Sequence, residues 1–141
     1  MKQAFNLKPI GIIYTPYYEQ NDAPRQGILR PNQEGNIVIF EDYQQGLKDL
    51  NRFSHLILIF YFHKITEESL TATPPNEMKE RGIYATRGPH RPNHLGLTVV
   101  KIKEIRENQL LVEGVDMLNE TPLLDIKPYV TELDCRENAS N

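Results

Sequence analysis

Apolar residues occur in short runs rich in Ile, Val, Leu and Phe, separated by Gly, Pro, Asn and charged residues. This is the pattern of strands and turns, and it predicts a mainly β fold. Strands are predicted over residues 9–13, 36–40, 55–63, 82–85, 95–105 and 109–115, the last two joined as a hairpin around Glu107 and Asn108. In the fifth run Val100 and Ile102 alternate with Lys101 and Lys103, so one face looks inward and the other toward water. The stretch HLILIFYFH, residues 55–63, is apolar on both faces, as expected of a strand flanked by strands inside a barrel or under a covering element. Residues 41–51 place Tyr43, Leu47 and Leu50 at helical spacing, and Gly46 limits them to one short helix. Residues 17–26 and 66–81 read as polar loops, the second long enough to suggest a functional or mobile role.

Composition narrows this picture. A chain of 141 residues with 39% apolar content suits one domain with a real core. A net charge of −3 argues against a protein that coats nucleic acid through bulk positive charge. Cys135 is the only cysteine, which rules out an internal disulfide and points to a reducing compartment. The amino terminus lacks the apolar core of a signal peptide. The longest apolar run, residues 56–62, falls far short of the roughly 20 residues that a membrane helix needs. A soluble, cytoplasmic protein is expected. Glycine-rich dinucleotide fingerprints, phosphate-binding lysine loops, nucleophile elbows and zinc-protease motifs are all missing, so the fold is not expected to be a Rossmann fold.

Three segments carry candidate chemistry. GIYATRGPHRPNHLG, residues 82–96, mounts Arg87 and Arg91 among prolines. Residues 79–103 hold six basic side chains against the single acid Glu80, a net of +5 before histidines. Arginine forks bind phosphate and carboxylate in paired hydrogen bonds, and prolines stiffen their support. His90 and His94 lie four apart, but Pro89 and Pro92 disfavour the helix that would align them on a metal, and the segment offers no third acidic ligand, so no metal is expected. His63, where a strand hands over to a loop, is a functional candidate, and His55 a structural one. DMLNETPLLDIKPY, residues 116–129, suits a partly apolar, partly hydrogen-bonding pocket. Within it Asp125, Lys127 and Tyr129 alternate, so an extended chain points all three the same way, where they can orient or deprotonate a polar substrate.

Together, APRQ (23–26), FSHLILIFYFH (53–63), GIYATRGPHRPNHLGLTVVKI (82–102) and GVDMLNETPLLDIKPY (114–129) resemble the successive signatures of the TsaA-like tRNA methyltransferases. Members use S-adenosylmethionine to methylate N6 of threonylcarbamoyladenosine at position 37, beside the tRNA anticodon. The resemblance implies a small single-domain β-barrel with one or two short helices over residues 1–135, a polar tail over 136–141, a homodimer, and a cofactor near the subunit interface. Carried over position by position, it implies cofactor binding by Pro24, Arg25, Gln26, His63, Lys64, Arg87, Leu97, Asp116, Met117, Leu118 and Asn119. Two departures are His94, where many relatives have proline, and the chain's end soon after Tyr129, where some relatives continue into a second domain.

Within that reading, Arg91 and Asn93 are candidates for the RNA substrate. Asp125, or Tyr129 with its pKa lowered by Lys127, is the candidate base. The recognised base lies in a single-stranded loop, where it is splayed out while cations hold the backbone. Three alternatives stay open: a non-catalytic nucleotide- or RNA-binding barrel module, a methyltransferase with another acceptor, and a metal-dependent hydrolase using the four histidines.

Overall fold

Five of the predicted strands close on one another, together with a sixth over residues 121–128, in a computed structural model that describes residues 2–141. In chain order the elements are β1 (Gly11–Tyr14), β2 (Glu34–Ile39), β3 (His55–Tyr61), β4 (Thr71–Ala72), β5 (Arg81–Gly82), β6 (Leu95–Arg106), β7 (Gln109–Glu113), β8 (Thr121–Pro128) and the one-turn helix α1 (Thr131–Asp134). Six of the strands form a closed, wholly antiparallel barrel in the order β1-β2-β7-β6-β3-β8. Closure leaves the barrel no open edge for another chain to extend. The short strands β4 and β5 make a separate ribbon within the 62–94 excursion.

Alternation places the core. Ile13, Ile37, Ile39, Leu56, Leu58, Phe60, Val100, Leu110, Val112 and Leu123 point inward and are buried. Each such side chain contributes about 1.5–3 kcal/mol through the water it sheds. Phe60 faces Gly96 across the β3–β6 ladder, and a Cβ on Gly96 would collide with the Phe60 ring. The missing side chain makes room for that ring, which packs edge-on against Phe62 with centroids 5.4 Å apart. Lys101 and Lys103 point to water, as their alternation with Val100 and Ile102 predicts.

Two expectations are corrected. Residues 82–85 do not form a strand: only Arg81–Gly82 pairs, and Ile83–Ala85 is a 3-10 turn. The Ile83 side chain is buried, which gave the segment its strand-like apolar signature. Its carbonyl accepts from both the Thr86 amide (3.0 Å) and the Thr86 hydroxyl (2.8 Å), and this local capping favours a turn over a ladder. The predicted helix at 41–51 is two 3-10 pieces, Glu41–Leu47 and Leu50–Arg52, separated where Asp49 takes a left-handed φ of 67°.

Residues 121–128 are a full barrel strand, paired on one side with β1 and on the other with β3. Its register slips once. Phe60 faces Leu123 while Ile59 faces Asp125, so Leu124 is an extra, bulged residue.

Because the strands alternate in direction, the carboxyl ends of β1, β3 and β7 and the amino ends of β2, β6 and β8 gather at one mouth of the barrel. The segments 15–33, 62–94 and 114–120 all emerge there. The hairpin at Glu107–Asn108 and the junctions at 40–54 and 129–130 close the opposite end.

Candidate active site

Thr98 occupies an inward position of β6 between Gly96 and Val100. A buried hydroxyl needs a partner, and Thr98 donates to the Asp116 carboxylate at 2.7 and 2.8 Å. The Gly27 amide donates to the same carboxylate at 3.0 Å. Gly27 approaches Gly114 so closely that a Cβ would collide with the Gly114 carbonyl, so only glycine lets the 24–27 segment reach this depth. Burial pushes the Asp116 carboxyl above its ordinary pKa, against the opposing pull of the Thr98 and Gly27 hydrogen bonds, its own backbone amide and the Arg87 charge. Arg87 in turn donates to Gln26 Oε1 at 2.8 Å. One network therefore joins residues far apart in the chain: Gln26, Gly27, Arg87, Thr98 and Asp116.

The next residues are laced to the end of β1. The Thr15 hydroxyl donates to the Met117 carbonyl (2.8 Å), the Thr15 amide to Asn119 Oδ1 (3.1 Å), and the Asn119 amide to the Tyr17 carbonyl (2.7 Å). The Met117 side chain is buried in the core, and the Leu118 carbonyl accepts from the Thr121 hydroxyl at 2.6 Å. These bonds fix the backbone of 116–119 as a rigid ledge. Tyr17 buries its hydroxyl with no partner among the described residues, a hydrogen-bonding group left open.

His63 and Lys64 leave the end of β3 in a turn held by the Phe62 amide on the His94 carbonyl (2.9 Å). The His63 imidazole is half-buried, and Lys64 and Pro24 flank the mouth as exposed and half-buried side chains respectively, with Arg25 exposed. Burial, then the Lys64 charge, push the His63 pKa below its ordinary value, with Glu120 pulling the other way. The basic loop is less free than its charge suggests. Arg91 donates to the Thr86 (2.8 Å) and Gly88 (3.4 Å) carbonyls of its own loop, Arg81 pairs with Glu77 at 2.5 Å, and Lys103 with Glu34 at 2.7 Å. Asn93 stays exposed, with a left-handed φ of 67°.

Two groups stand apart from this network. Leu97 lies on β6 next to Thr98 but points out of the barrel, with 56% of its surface exposed. Asp125 and Lys127 also face outward, opposite Ile59 and Ile57, and pair with each other at 3.2 Å in solvent. Tyr129 sits at the far end of the barrel, its amide on the His55 carbonyl and its ring edge-on to His55. The seven residues of β3 separate that end from His63 by roughly 20 Å at about 3.3 Å per step. Within one chain, the three candidates for proton chemistry do not meet the Asp116 network. Thr98, Gly27 and Thr15 were not singled out from the sequence. The one available signal was a threonine in the inward phase of an otherwise apolar strand. Among the described residues no cluster of three or more His, Cys, Asp or Glu side chains is arranged to hold a metal, and no helix is long and apolar enough to cross a membrane.

Comparison with known proteins places this geometry. The profile described as the tRNA-methyltransferase O N-terminal domain matches residues 12–135. A probable S-adenosyl-L-methionine-binding protein of Pyrococcus abyssi is 45% identical over 131 residues, covering 93% of this chain and 71% of that protein. The human tRNA (adenine(37)-N6)-methyltransferase is 34% identical over 93% of this chain, which spans 31% of the human protein. The crystal structure of TrmO from Pseudomonas aeruginosa superposes with a TM-score of 0.83 at 33% identity, over all of this chain and 62% of that one. The closed barrel, the mouth network and a profile match over most of its length together make this chain a member of the tRNA-methyltransferase O N-terminal-domain family.

Proposed function

We propose that this protein is an S-adenosylmethionine-dependent methyltransferase that methylates N6 of adenosine 37 in the tRNA anticodon loop, with the threonylcarbamoyl-modified adenosine as acceptor. The observation that carries the reading is the meeting of Gln26, Arg87 and Asp116 in one network at the mouth, half-buried at Gln26 and Asp116 and exposed at Arg87.

The donor set suits such a cofactor. The methyl donor supplies an electrophilic methyl group on a sulfonium and carries its own carboxylate and amine. Arg25, exposed beside the network, matches the carboxylate. Asn119, whose Oδ1 is taken by Thr15, keeps its Nδ2 donor free among the described residues. Leu118 offers apolar surface, and the Tyr17 hydroxyl an open hydrogen bond. Asp116 acts mainly by holding Gly27, and with it residues 24–26, against β6. Much of the acceleration then comes from fixed geometry, since holding reactants at reactive distance is itself a large effect. Lys64, Asn93 and the unbonded nitrogens of Arg91 meet the RNA.

The working unit is a cytoplasmic homodimer. On the outer wall the ladder pairs Ile57 with Val99, Ile59 with Leu97 and Tyr61 with Leu95, giving a contiguous apolar surface. Ile28, 79% exposed at the mouth, adds to the apolar surface. Such patches on soluble proteins mark interfaces. Leu97 is the cofactor candidate that faces this wall, so a second copy completes the site.

The test is to incubate the protein with S-adenosylmethionine and tRNA carrying threonylcarbamoyladenosine, then digest and weigh the nucleosides. A gain of one methyl on that nucleoside is expected. Methylation of unmodified adenosine alone would reassign the acceptor, and binding without any mass change would leave only a binding module.

A further inference from the structure

Methylation of an N–H nitrogen releases a proton, which needs an acceptor at the mouth. Asp125 and Lys127 form an ion pair on the outer wall, and Tyr129 lies at the opposite end of the barrel. The Asp116 carboxylate is at the mouth, but both of its oxygens accept hydrogen bonds that hold the site together. His63 is placed differently. Its turn is pinned at both sides, by Phe62 on His94 and by the Ile65 amide on the Phe62 carbonyl (3.2 Å). Phe62 is also wedged against Phe60 of the core. Among the described residues, the histidine rings in hydrogen bonds are those of His55 and His94, so the His63 nitrogens are uncommitted. His63 opens the 62–94 segment and Glu120 closes the 114–120 segment, both of which emerge at the same mouth of the barrel.

We propose that His63 is the proton acceptor of the methyl transfer; this rests on the function proposed above. In the balanced step the N6–CH₃ bond forms as the S–CH₃ bond breaks with its electron pair kept on sulfur. The N6 proton passes to a ring nitrogen of His63 and from there to solvent. The charged groups acting on the ring are Lys64 from its own turn and Glu120 from the turn before β8. With burial, their sum favours the neutral imidazole at pH 7, the form that accepts a proton.

The experiment combines single-turnover methyl transfer to tRNA, calorimetry with S-adenosylmethionine alone, and NMR titration of the His63 ring. Absence of transfer by the wild type overturns the proposed function and this role with it. Given transfer, His63→Ala and His63→Gln are each expected to slow it by roughly 10²- to 10⁴-fold, with any loss of cofactor affinity far smaller than the loss of rate, and added imidazole is expected to restore part of the rate to the alanine variant. The wild-type rate is expected to rise with pH through the ring's own titration, below the ordinary 6.5, and then level off. That limb disappears in both variants, and Glu120→Gln moves it to lower pH along with the NMR titration. An unchanged rate in the variants, or a loss of cofactor affinity as large as the loss of rate, overturns the assignment of His63 as the base and leaves the methyltransferase reading standing.

Discussion

The mouth of the barrel and the outer wall of β8 use the same side-chain types and come out opposite in character. At the mouth, the Asp116 carboxylate is half-buried, bonded to Thr98 and Gly27 and countered by Arg87. On the wall, the Asp125 carboxylate pairs with Lys127 in water, with its other oxygen on the Ile126 amide at 2.9 Å. A solvated ion pair contributes little, because water already satisfies both charges. A half-buried carboxylate must be satisfied by the protein, and the groups that satisfy it become fixed relative to one another. Fixed groups are what positional catalysis needs, so charge alternation along a strand is a weaker sign of a site than a polar residue in its inward phase.

The contrast is broken most directly at Asp116. Asp116→Ala leaves the Thr98 hydroxyl and the Gly27 amide without an acceptor and Arg87 without its countercharge. It is expected to cost about 2–4 kcal/mol in urea unfolding and to reduce methyl transfer at least about a hundredfold. Next in size is Leu97→Asp, which puts a charge on the apolar outer wall. It is expected to convert a dimer to a monomer by light scattering and to lower cofactor affinity about tenfold or more, with the monomer still folded by circular dichroism.

A subtler test concerns pH. Burial raises the Asp116 pKa, so the folded protein holds this proton more tightly than the unfolded chain. Its contribution to stability is fully present below the unfolded value and is lost as pH rises through the folded one. Asp116→Asn cannot ionise there. The stability of this variant relative to the wild type is therefore expected to increase as pH is raised from about 3.8 into the neutral range, as read from urea midpoints at stepped pH. Flat behaviour would show the carboxylate to be better solvated than its hydrogen bonds suggest. The smallest effects belong to the wall. Asp125→Asn, Lys127→Gln and Tyr129→Phe are each expected to stay within about 0.5 kcal/mol of wild-type stability and within twofold of its activity. A hundredfold loss in any of them would place that residue in a site, shared with a second subunit, that a single chain does not contain.

Much of the barrel was legible because its strands obey simple rules. Alternation in 95–105 and the doubly apolar 55–63 run announced β6 and the central β3, and Glu107–Asn108 announced the hairpin turn. The run at 82–85 misled because burial of one side chain, Ile83, looks the same in a strand and in a capped turn. The segments that build the mouth were legible as loops, and the family motifs marked Gln26, Arg87 and Asp116, which the fold brings together. What joins them was not legible. Thr98 and Gly27 gain meaning only from a contact across the barrel, and nothing local in the sequence encodes that distance. For Asp125 and Lys127 the spacing implied a shared direction, but it does not say which direction, nor that the strand ends at Pro128 and leaves Tyr129 at the far end of the barrel.

Direction on β8 is set by the bulge at Leu124. Upstream of it odd-numbered residues such as Leu123 fill the interior; downstream the phase is inverted and Ile126 packs inward while Asp125 and Lys127 look out. The extra residue works as a half-period offset between two reading frames of one strand. Sequences descended from this one should tolerate almost any polar substitution at 125 or 127, and even loss of Leu124, because that deletion removes the offset and leaves Asp125 and Lys127 facing water; straightening the strand at its present length would instead turn a carboxylate and an ammonium toward the hydrocarbon interior.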